Sequence, residues 1–468
     1  MIGKLLGWCF PITRQFLNFI MTVTSRFAPS PTGVLHLGSI RTAFIAYLFA
    51  RSAGGKFILR IDDTDLVRSK DEHTVAIKDG MVWLGMSWDE YYHQRGREDV
   101  YNASRDKLLA SGRLYPCYET EEELALKRKV QLGRGAPPIY DRAALKLTDE
   151  QKATYEAEGR KPHYRFMLNH EPIRWKDHIR GDVELNGKDF SDPVLIREDG
   201  TPLYHLCSVV DDAEYGVTHV VRGEDHVSNT AFHIQMFEAL GATPPEFAHL
   251  PLVFSEEGKK LSKRIDSLSI DALKDEVGLE PVTLLAYVSR LGTSKPVEPF
   301  TTMQQVIDNF DISTFSRANP RFIFEELLRL NAKVIHNMTY EQACARMQEL
   351  GMESVTEEFW NAAQPNLKVL RDIQDWWQVA QGPVESVIED QEFANAAAEL
   401  LPQEPWTIDT WTQWANQVKE KTGRSGKNLF MPLRQALTGM DHGPELANLL
   451  PLIGYDRAKS RLTGKKAA

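Results

Sequence analysis

The chain has 468 residues, of which 42% are hydrophobic, and a formal net charge of −10 at pH 7. A chain of this length and apolar content can bury several cores, which predicts three or more domains and excludes disorder throughout. Because the average charge is acidic, any nucleic-acid-binding surface must be a local basic patch.

The cysteines are few and far apart. Their spacing contains no CxxC pair, which is typical of a reducing compartment and argues against a disulfide scaffold or a closed zinc site. A cytoplasmic protein is therefore expected. The four positions are Cys9, Cys117, Cys207 and Cys344.

Residues 1–20 are apolar but interrupted by Lys4, Pro11 and Arg14, so no run is long enough to span a bilayer. No membrane association is expected. Because Met21 directly precedes the first strand-like run, we interpret these residues as a start-site artefact or a disordered tail. The alternative is a weak amphipathic surface or targeting segment.

The first predicted structural unit is βαβ. A strand is predicted from Thr22 to Phe27, followed by a Pro- and Gly-rich loop and an amphipathic helix that begins near residues 36–39. A second strand is predicted from Lys56 to Ile61, and it ends at the acidic Asp62. This pattern predicts a doubly wound α/β domain, in which ligands bind at the carboxyl ends of the strands.

The α/β pattern is interrupted and later resumes. Residues 101–204 are rich in charge, Gly and Pro, which predicts an inserted α+β domain. A strand at Val217–Val221, a helix carrying Phe237 and a strand at Pro251–Phe254 restore the α/β pattern, and helical periodicity dominates after about residue 268. The predicted ranges are a leader at 1–20, a catalytic domain at 21–100 and 205–258, an insertion at 101–204, a linking region at 259–335 and a helical domain at 336–468.

The strongest motif runs from Arg26 to Ser39 and lies between a predicted strand and a predicted helix. The backbone N–H groups and the dipole at a helix N-terminus favour phosphate. His36 can add an N–H donor, and Gly38 leaves room for a flat adenine. Taken alone, His36 is better explained as a structural surface histidine, because lone histidines are commonly structural.

The second motif is Lys260-Leu261-Ser262-Lys263-Arg264, which follows a predicted strand. Attack on an α-phosphate builds negative charge on the phosphoryl oxygens, so positioned cations contribute more than an acid–base residue. Lys263, supported by Lys260 and Mg²⁺, can supply that charge. The alternative for an isolated string of this kind is a solvated basic turn.

Together the two motifs resemble the HIGH and KMSKS signatures of class I aminoacyl-tRNA synthetases, and four further stretches resemble the glutamyl-tRNA synthetase family. The resemblance covers nearly everything after Met21. It implies a class I Rossmann catalytic domain, an insertion that binds the acceptor end of tRNA, a stem-contact region that includes the KMSKS loop, and a helical anticodon-binding domain. The stretches are RFAPSPTG from Arg26, LRIDDTD from Leu59, VRGEDH from Val221 and FMPLRQALTG from Phe430.

The resemblance also implies roles for individual residues. Those expected to bind ATP are Pro29, Ser30, Thr32, Gly33, His36, Gly38, Ser39, Lys260, Ser262, Lys263 and Arg264, among which His36, Lys260 and Lys263 are expected to be catalytic. Those expected to bind glutamate are Arg26, Ala28, Ser30, Asp62, Tyr204, Ser208 and Arg222.

Arg222 is the expected specificity element, because a guanidinium pairs with a γ-carboxylate and leaves the amide of glutamine poorly satisfied. The alternative for Arg222 is a structural ion pair with Glu224 or Asp225. Two other positions depart from the family pattern: Asp62 stands where glutamate is usual, and Ser208 stands where some members have asparagine.

Some family members hold zinc in the insertion through paired cysteine elements. Here Cys117 is followed by Tyr118 and Glu119, and the later element runs from Tyr140 to Ala144 without a cysteine or histidine. Because a zinc site needs about four ligands, no zinc and no other protein-held metal is predicted.

The resemblance implies ATP with Mg²⁺, L-glutamate and tRNA(Glu) as partners, a monomeric state, and a need for tRNA before glutamate is activated. A basic patch in the C-terminal helices, from Lys419 to Lys466, suggests an RNA-facing surface, although charge runs are commonly solvated faces. The alternatives are a paralogue that glutamylates a modified tRNA base, a glutaminyl-tRNA synthetase, and a non-catalytic tRNA-binding protein. The helical C-terminal region opposes the first two, and retention of His36 and Lys263 opposes the third.

Overall fold

The computed structural model describes residues 22–258 and 269–464. The interpretation of the 1–20 leader lies outside these residues. So do the roles assigned to Lys260, Ser262, Lys263 and Arg264, and all of these remain predictions.

The first half of the described chain alternates strands and helices. Its strands are β1 Thr24–Phe27, β2 Lys56–Ile61, β3 Glu90–His93, β4 Leu114–Cys117, β5 His163–Phe166, β6 Pro172–Asp177, β7 Gly181–Asn186, β8 Val194–Ile196, β9 His219–Gly223, β10 Glu246–Leu250 and β11 Phe254–Ser255. Its helices are α1 Leu37–Ser52, α2 Asp71–Trp83, α3 Glu98–Ala110, α4 Glu121–Gly133, α5 Asp149–Ala157, α6 Tyr204–Glu214 and α7 Val227–Ala239.

A seven-stranded sheet forms the centre of the catalytic half, with the order β3-β2-β1-β9-β10-β6-β7. The neighbours from β3 to β6 pair in parallel, whereas β7 pairs antiparallel with β6. In β1 all four residues are buried and in β2 all except Lys56, as expected of strands covered on both faces. This confirms the predicted α/β fold. Because β1, β2 and β9 are parallel, their carboxyl ends lie together at one end of the sheet.

Two details of this sheet differ from the prediction. The strand expected at Pro251–Phe254 is instead β10, at Glu246–Leu250, because Pro251 lacks the N–H that a central strand must donate. The hairpin of β6 and β7, which falls within the predicted insertion, extends the main sheet. Its exposed edge carries charged side chains such as the Arg174–Glu184 pair. In the sequence, such alternating charges are typical of a solvated loop.

The remainder of the 101–204 region forms a separate small sheet, with the order β4-β5-β8 and antiparallel pairing. Cys117 is buried there beside Tyr115 and Ala144, and the Tyr140 hydroxyl lies 3.7 Å from its Sγ. The absence of zinc from this region remains a prediction.

From residue 324 onwards the described chain is helical, as predicted. Trp360 and Trp414 are fully buried in its core, and no helix among residues 22–258 and 269–464 is long and apolar enough to cross a membrane. The elements after β11 are α8 Pro281–Arg290, α9 Met303–Asp308, β12 Arg321–Phe322, α10 Phe324–Asn337, α11 Tyr340–Glu349, α12 Glu357–Ala363, α13 Asp372–Gln381, α14 Gln391–Glu399, α15 Ile408–Thr422, α16 Lys427–Thr438, α17 Leu446–Ile453 and α18 Tyr455–Leu462.

Candidate active site

A cavity of about 1140 Å³ opens where β1 and β2 end and α1 begins. This is the edge at which ligands bind in open parallel sheets. Its walls include eight of the residues predicted from the sequence: Pro29, Ser30, Thr32, Gly33, His36, Ser39, Asp62 and Tyr204.

His36 caps the N-terminus of α1. Its Nδ1 accepts a hydrogen bond from the backbone N–H of Ser39 at 3.3 Å, while the Ser39 hydroxyl accepts from the backbone N–H of His36 at 2.9 Å. Because Nδ1 is an acceptor, the proton of the neutral ring lies on Nε2. The site therefore presents an imidazole donor beside the positive end of a helix.

Gly38 lies next to the His36 ring, and its expected contact with adenine stays a prediction. It does not line the cavity, but a Cβ at this position would lie 3.2 Å from Cε1 of His36. A larger residue would press on the imidazole ring, so Gly38 protects the ring's position.

A buried charge network lies behind the cavity, with Arg60 at its centre. The Arg60 side chain is fully buried and donates to Asp62 Oδ1 at 2.6 Å, Asp212 Oδ1 at 2.6 Å and the Ser208 hydroxyl at 3.1 Å. Arg26 donates to the same Asp212 carboxylate at 3.2 Å. Two guanidiniums and two carboxylates therefore balance in charge, which is the condition for burying such groups.

The two carboxylates of the network respond differently to burial. Burial raises the pKa of Asp62 to about 6, against the opposing effects of Arg60 and Arg26. Asp212 is also buried, but Arg26 and Arg60 outweigh that effect and lower its pKa. Asp62, which lines the cavity, is thus the carboxylate that gains most from a further cation.

Arg222 is buried, and its hydrogen-bond partners are uncharged groups. Its guanidinium donates to the Thr230 hydroxyl at 2.6 Å, the Tyr204 hydroxyl at 3.3 Å and His249 Nε2 at 3.3 Å. Burial lowers its pKa. Among the residues that the structure describes, no carboxylate forms a salt bridge with Arg222, and Glu224 pairs with Arg180 instead. The sequence-based alternative of an ion pair with Glu224 is therefore wrong.

The orientation of Arg222 is set by the carboxylate of Asp177, which acts through His249. Asp177 lies 2.5 Å from Nδ1 of His249, and burial lowers the pKa of that histidine. The neutral ring thus donates from Nδ1 to Asp177 and accepts from Arg222 at Nε2. The chain Asp177–His249–Arg222 fixes the guanidinium, and no sequence motif pointed to Asp177 or His249.

The predicted residues divide between the cavity wall and the layer behind it. Arg26, Ala28, Gly38, Ser208 and Arg222 do not line the cavity. Ser208 is fully buried and accepts a hydrogen bond from Arg60, so it supports the network and makes no contact with the cavity. Arg222 remains connected to the cavity through the Tyr204 hydroxyl.

Arg68, Arg95 and Arg197 line the cavity although the sequence did not single them out. Arg68 pairs with Asp65 at 2.7 Å and Arg95 with Asp71 at 3.1 Å, and all three lie outside helices and strands. Isolated loop arginines carry no periodic signal. Their charge suits a polyanionic ligand at the cavity mouth.

A divalent ion bound with ATP needs little from the protein, because Mg²⁺ usually keeps several waters and is held by one or two carboxylates and the substrate phosphates. The carboxylates on the cavity wall that are available for this role are those of Asp62, Asp65, Glu98 and Asp199. Within the described ranges, no cluster of three metal-ligating side chains lies at the cavity.

Comparison with known proteins places this site in a family. Residues 22–329 match the catalytic domain of class I tRNA synthetases for E and Q, and residues 353–465 match an anticodon-binding domain. The chain is 51% identical to glutamate–tRNA ligase of Azospirillum brasilense over 96% of its own length and 100% of the relative's.

The chain belongs to the glutamyl-tRNA synthetase family.

Two further similarities extend over most of this synthetase. Glutamate–tRNA ligase 1 of Maricaulis maris is 51% identical over 94% of the chain and 99% of that relative. The crystal structure of a glutamate tRNA ligase from Elizabethkingia meningosepticum in complex with its amino acid superposes with a TM-score of 0.82 at 30% identity, covering 94% of this chain and 98% of that one. The synthetase is therefore an aminoacyl-tRNA synthetase of class I, with the fold predicted from its motifs.

Proposed function

We propose that the synthetase activates L-glutamate with ATP to form glutamyl-adenylate and transfers the glutamyl group to the 3′ end of tRNA(Glu). The observation that carries this proposal is Arg222, a buried guanidinium whose described partners are uncharged and which lies directly behind Tyr204 at the cavity. Such a cation is best satisfied by an anion that enters the site.

Selection of glutamate follows from this environment. A γ-carboxylate can accept from the guanidinium of Arg222 and from the hydroxyl of Tyr204. The amide of glutamine brings no charge, and its NH₂ group would face N–H donors. Asp177 and His249 hold the guanidinium in place, so its position is set before the substrate arrives.

The other end of the amino acid lies toward Asp62. Its carboxylate is on the cavity wall and its pKa is raised by burial, so an α-ammonium group supplies the cation that this position favours. Arg60 orients the carboxylate through two hydrogen bonds, and Ser208 supports Arg60. Ser208 is accordingly proposed to position the site without touching the substrate.

ATP binds at the N-terminus of α1 in this proposal, with His36 Nε2 and the backbone N–H groups donating to its phosphates. A carboxylate oxygen of glutamate attacks the α-phosphorus and pyrophosphate leaves. A hydroxyl of the terminal ribose of tRNA then attacks the acyl carbon and AMP leaves. The protein's task is to align the reactants and stabilise charge.

Lys263, with Lys260, is proposed to stabilise the charge that develops on the phosphoryl oxygens, and Mg²⁺ to accompany the ATP phosphates. One observation supports convergence of the two motifs: Ser269, which follows the lysine segment in sequence, pairs with His36 in a β-bridge. The backbone N–H of Ile270 donates to the carbonyl of Leu35 at 3.2 Å. A monomeric state and a cytoplasmic location complete the proposal.

The test is aminoacylation of purified tRNA(Glu) and tRNA(Gln), together with ATP–pyrophosphate exchange in the presence of tRNA. Charging of tRNA(Glu) with glutamate supports the proposal. Binding of tRNA without exchange or charging would indicate a non-catalytic protein instead. Charging of tRNA(Gln) as well would broaden the tRNA specificity and leave the chemistry unchanged.

Two substitutions assign the roles. Arg222→Ala is expected to reduce kcat/KM for glutamate by roughly 30-fold to several thousand-fold, because truncating one partner of a buried charge pair costs about 2–5 kcal/mol. The control is Arg174→Ala, which removes an exposed arginine from the edge of the same sheet. Lys263→Ala is expected to reduce adenylate formation strongly with little loss of tRNA affinity, and unchanged turnover would remove its proposed role.

A further inference from the structure

Two histidines and a glutamate converge at the edge of the main sheet that is remote from the cavity. His178 follows β6, His219 begins β9 and Glu246 begins β10. The Nε2 atom of His178 lies 2.7 Å from Glu246 Oε2, and that of His219 lies 3.7 Å from the same oxygen. One ligand atom from each residue lies within 4.8 Å of the others.

These separations suit a metal ion. Around a tetrahedral zinc ion with bonds of about 2.0–2.1 Å, neighbouring ligand atoms lie about 3.3 Å apart. The two observed distances of 2.7 and 3.7 Å lie on either side of that value. Because the side chain of Glu246 is 64% exposed, its carboxylate can rotate to let an ion enter between the three groups.

The surroundings of His219 favour the form of the ring that binds metal. Its Nδ1 lies 2.8 Å from the Thr218 hydroxyl, and that hydroxyl lies 3.3 Å from the Thr24 carbonyl, to which it can donate. When it does so, His219 donates from Nδ1 and its Nε2 lone pair faces Glu246. A fixed hydrogen bond to the second ring nitrogen is typical of metal-binding histidines.

One further feature agrees with this arrangement. The ring of Phe49 packs at 5.1 Å from His178 and 4.8 Å from His219, so it holds both imidazoles from one side.

We propose that His178, His219 and Glu246 bind one divalent transition-metal ion of the zinc class, with the remaining coordination position open to water. Two imidazoles and one carboxylate are a donor set that zinc accepts. The site uses none of the cysteines considered in the sequence. It joins the hairpin of β6 and β7 to the catalytic strands at the edge opposite the cavity, so the ion contributes to stability and takes no part in the chemistry.

The test is Zn²⁺ binding by the purified full-length chain after chelator treatment, measured by titration calorimetry and by metal content after dialysis. We expect one Zn²⁺ per chain at this site and a rise in Tm on adding Zn²⁺. Glu246→Gln and His219→Ala are each expected to weaken the affinity by more than about 100-fold, because loss of an outer hydrogen-bond partner alone typically costs about 10–100-fold.

The matched control is His170→Ala, which removes an exposed imidazole from the loop before β6. Binding that is retained in this control and lost in both ligand variants supports the site. No binding in the unaltered chain, or equal binding in all four proteins, overturns it. Circular dichroism of each variant, and the milder Glu246→Gln change at an exposed carboxylate, separate loss of metal from loss of fold.

A Thr218→Val variant tests the orientation of His219 separately. It keeps the shape of the side chain and removes the hydroxyl, so a loss of about 10–100-fold in Zn²⁺ affinity is expected. Unchanged affinity would show that the hydroxyl does not orient the ring for metal binding. None of these outcomes depends on the proposed aminoacylation, which is measured at the opposite edge of the sheet.

Discussion

Asp212→Asn is expected to destabilise the catalytic domain far more than the loss of an ordinary ion pair. Asp212 neutralises Arg60 at 2.6 Å and Arg26 at 3.2 Å, and the three side chains are at most 5% exposed. Asparagine preserves the shape but not the charge. Arg60 retains Asp62 as a partner, whereas Arg26 has no second carboxylate among the salt bridges of the described chain.

Asp212→Asn therefore leaves one uncompensated buried charge, and the free energy of unfolding is expected to fall by about 3–5 kcal/mol. The matched control is Glu184→Gln, which breaks the Arg174–Glu184 pair at 2.7 Å on the exposed edge of the same sheet. Side chains there are 69% and 57% exposed, and surface pairs contribute about 0–1 kcal/mol.

Urea denaturation monitored by circular dichroism, with hydrogen exchange of the α6 amides as a local readout, compares the two variants. Because the chain has several domains, its urea transition need not be two-state. In that case the hydrogen-exchange rates of the α6 amides are the measurement that compares the two variants. If Asp212→Asn and Glu184→Gln proved equally mild, the buried network would not be the stabilising unit inferred from its geometry.

Two further changes test the site, and a third tests how stability depends on pH. Asp177→Asn is expected to raise KM for glutamate about tenfold or more with little change in KM for ATP, because the amide of asparagine no longer fixes the His249 tautomer. Steady-state kinetics measure both KM values. Equal changes in the two would contradict the positioning role of Asp177. Gly38→Ala is expected to raise KM for ATP by displacing the His36 ring, and isothermal titration with ATP checks this. Burial lowers the pKa of His205 to about 4. The unfolded chain therefore binds more protons below about pH 6.5, so stability falls by up to about 3 kcal/mol as the pH drops from 6.5 to 4. His205→Gln should flatten that part of the urea-midpoint profile against pH.

Local patterns were sufficient to predict the elements around the cavity. The helix start near residues 36–39 follows from the regular apolar spacing that comes after a Pro- and Gly-rich loop, and β2 follows from an apolar run that ends at acidic residues. Each signal lies within one short stretch of the chain, so no knowledge of tertiary packing is needed.

Hydrogen bonds and ion pairs between segments that lie far apart in the chain could not be predicted from the sequence. Arg60 was not singled out, because a single arginine in an apolar strand gives no indication of Asp212, which lies 152 residues further on. Likewise, the hydrogen bond that His249 donates to Asp177 joins two strands that are neighbours only in the folded sheet. The hairpin of β6 and β7 was assigned to the insertion because its alternating charges resemble those of a solvated loop.

The strand order has a consequence for synthesis of the protein. β1 ends at Phe27, yet its neighbour β9 begins only at His219, and β10 follows at Glu246. A ribosome adding about 5–20 residues per second needs on the order of ten seconds or more to cover that interval. During this time one side of β1 has no partner strand, so the N-terminal half of each new chain exposes an unpaired strand edge until the ninth strand emerges.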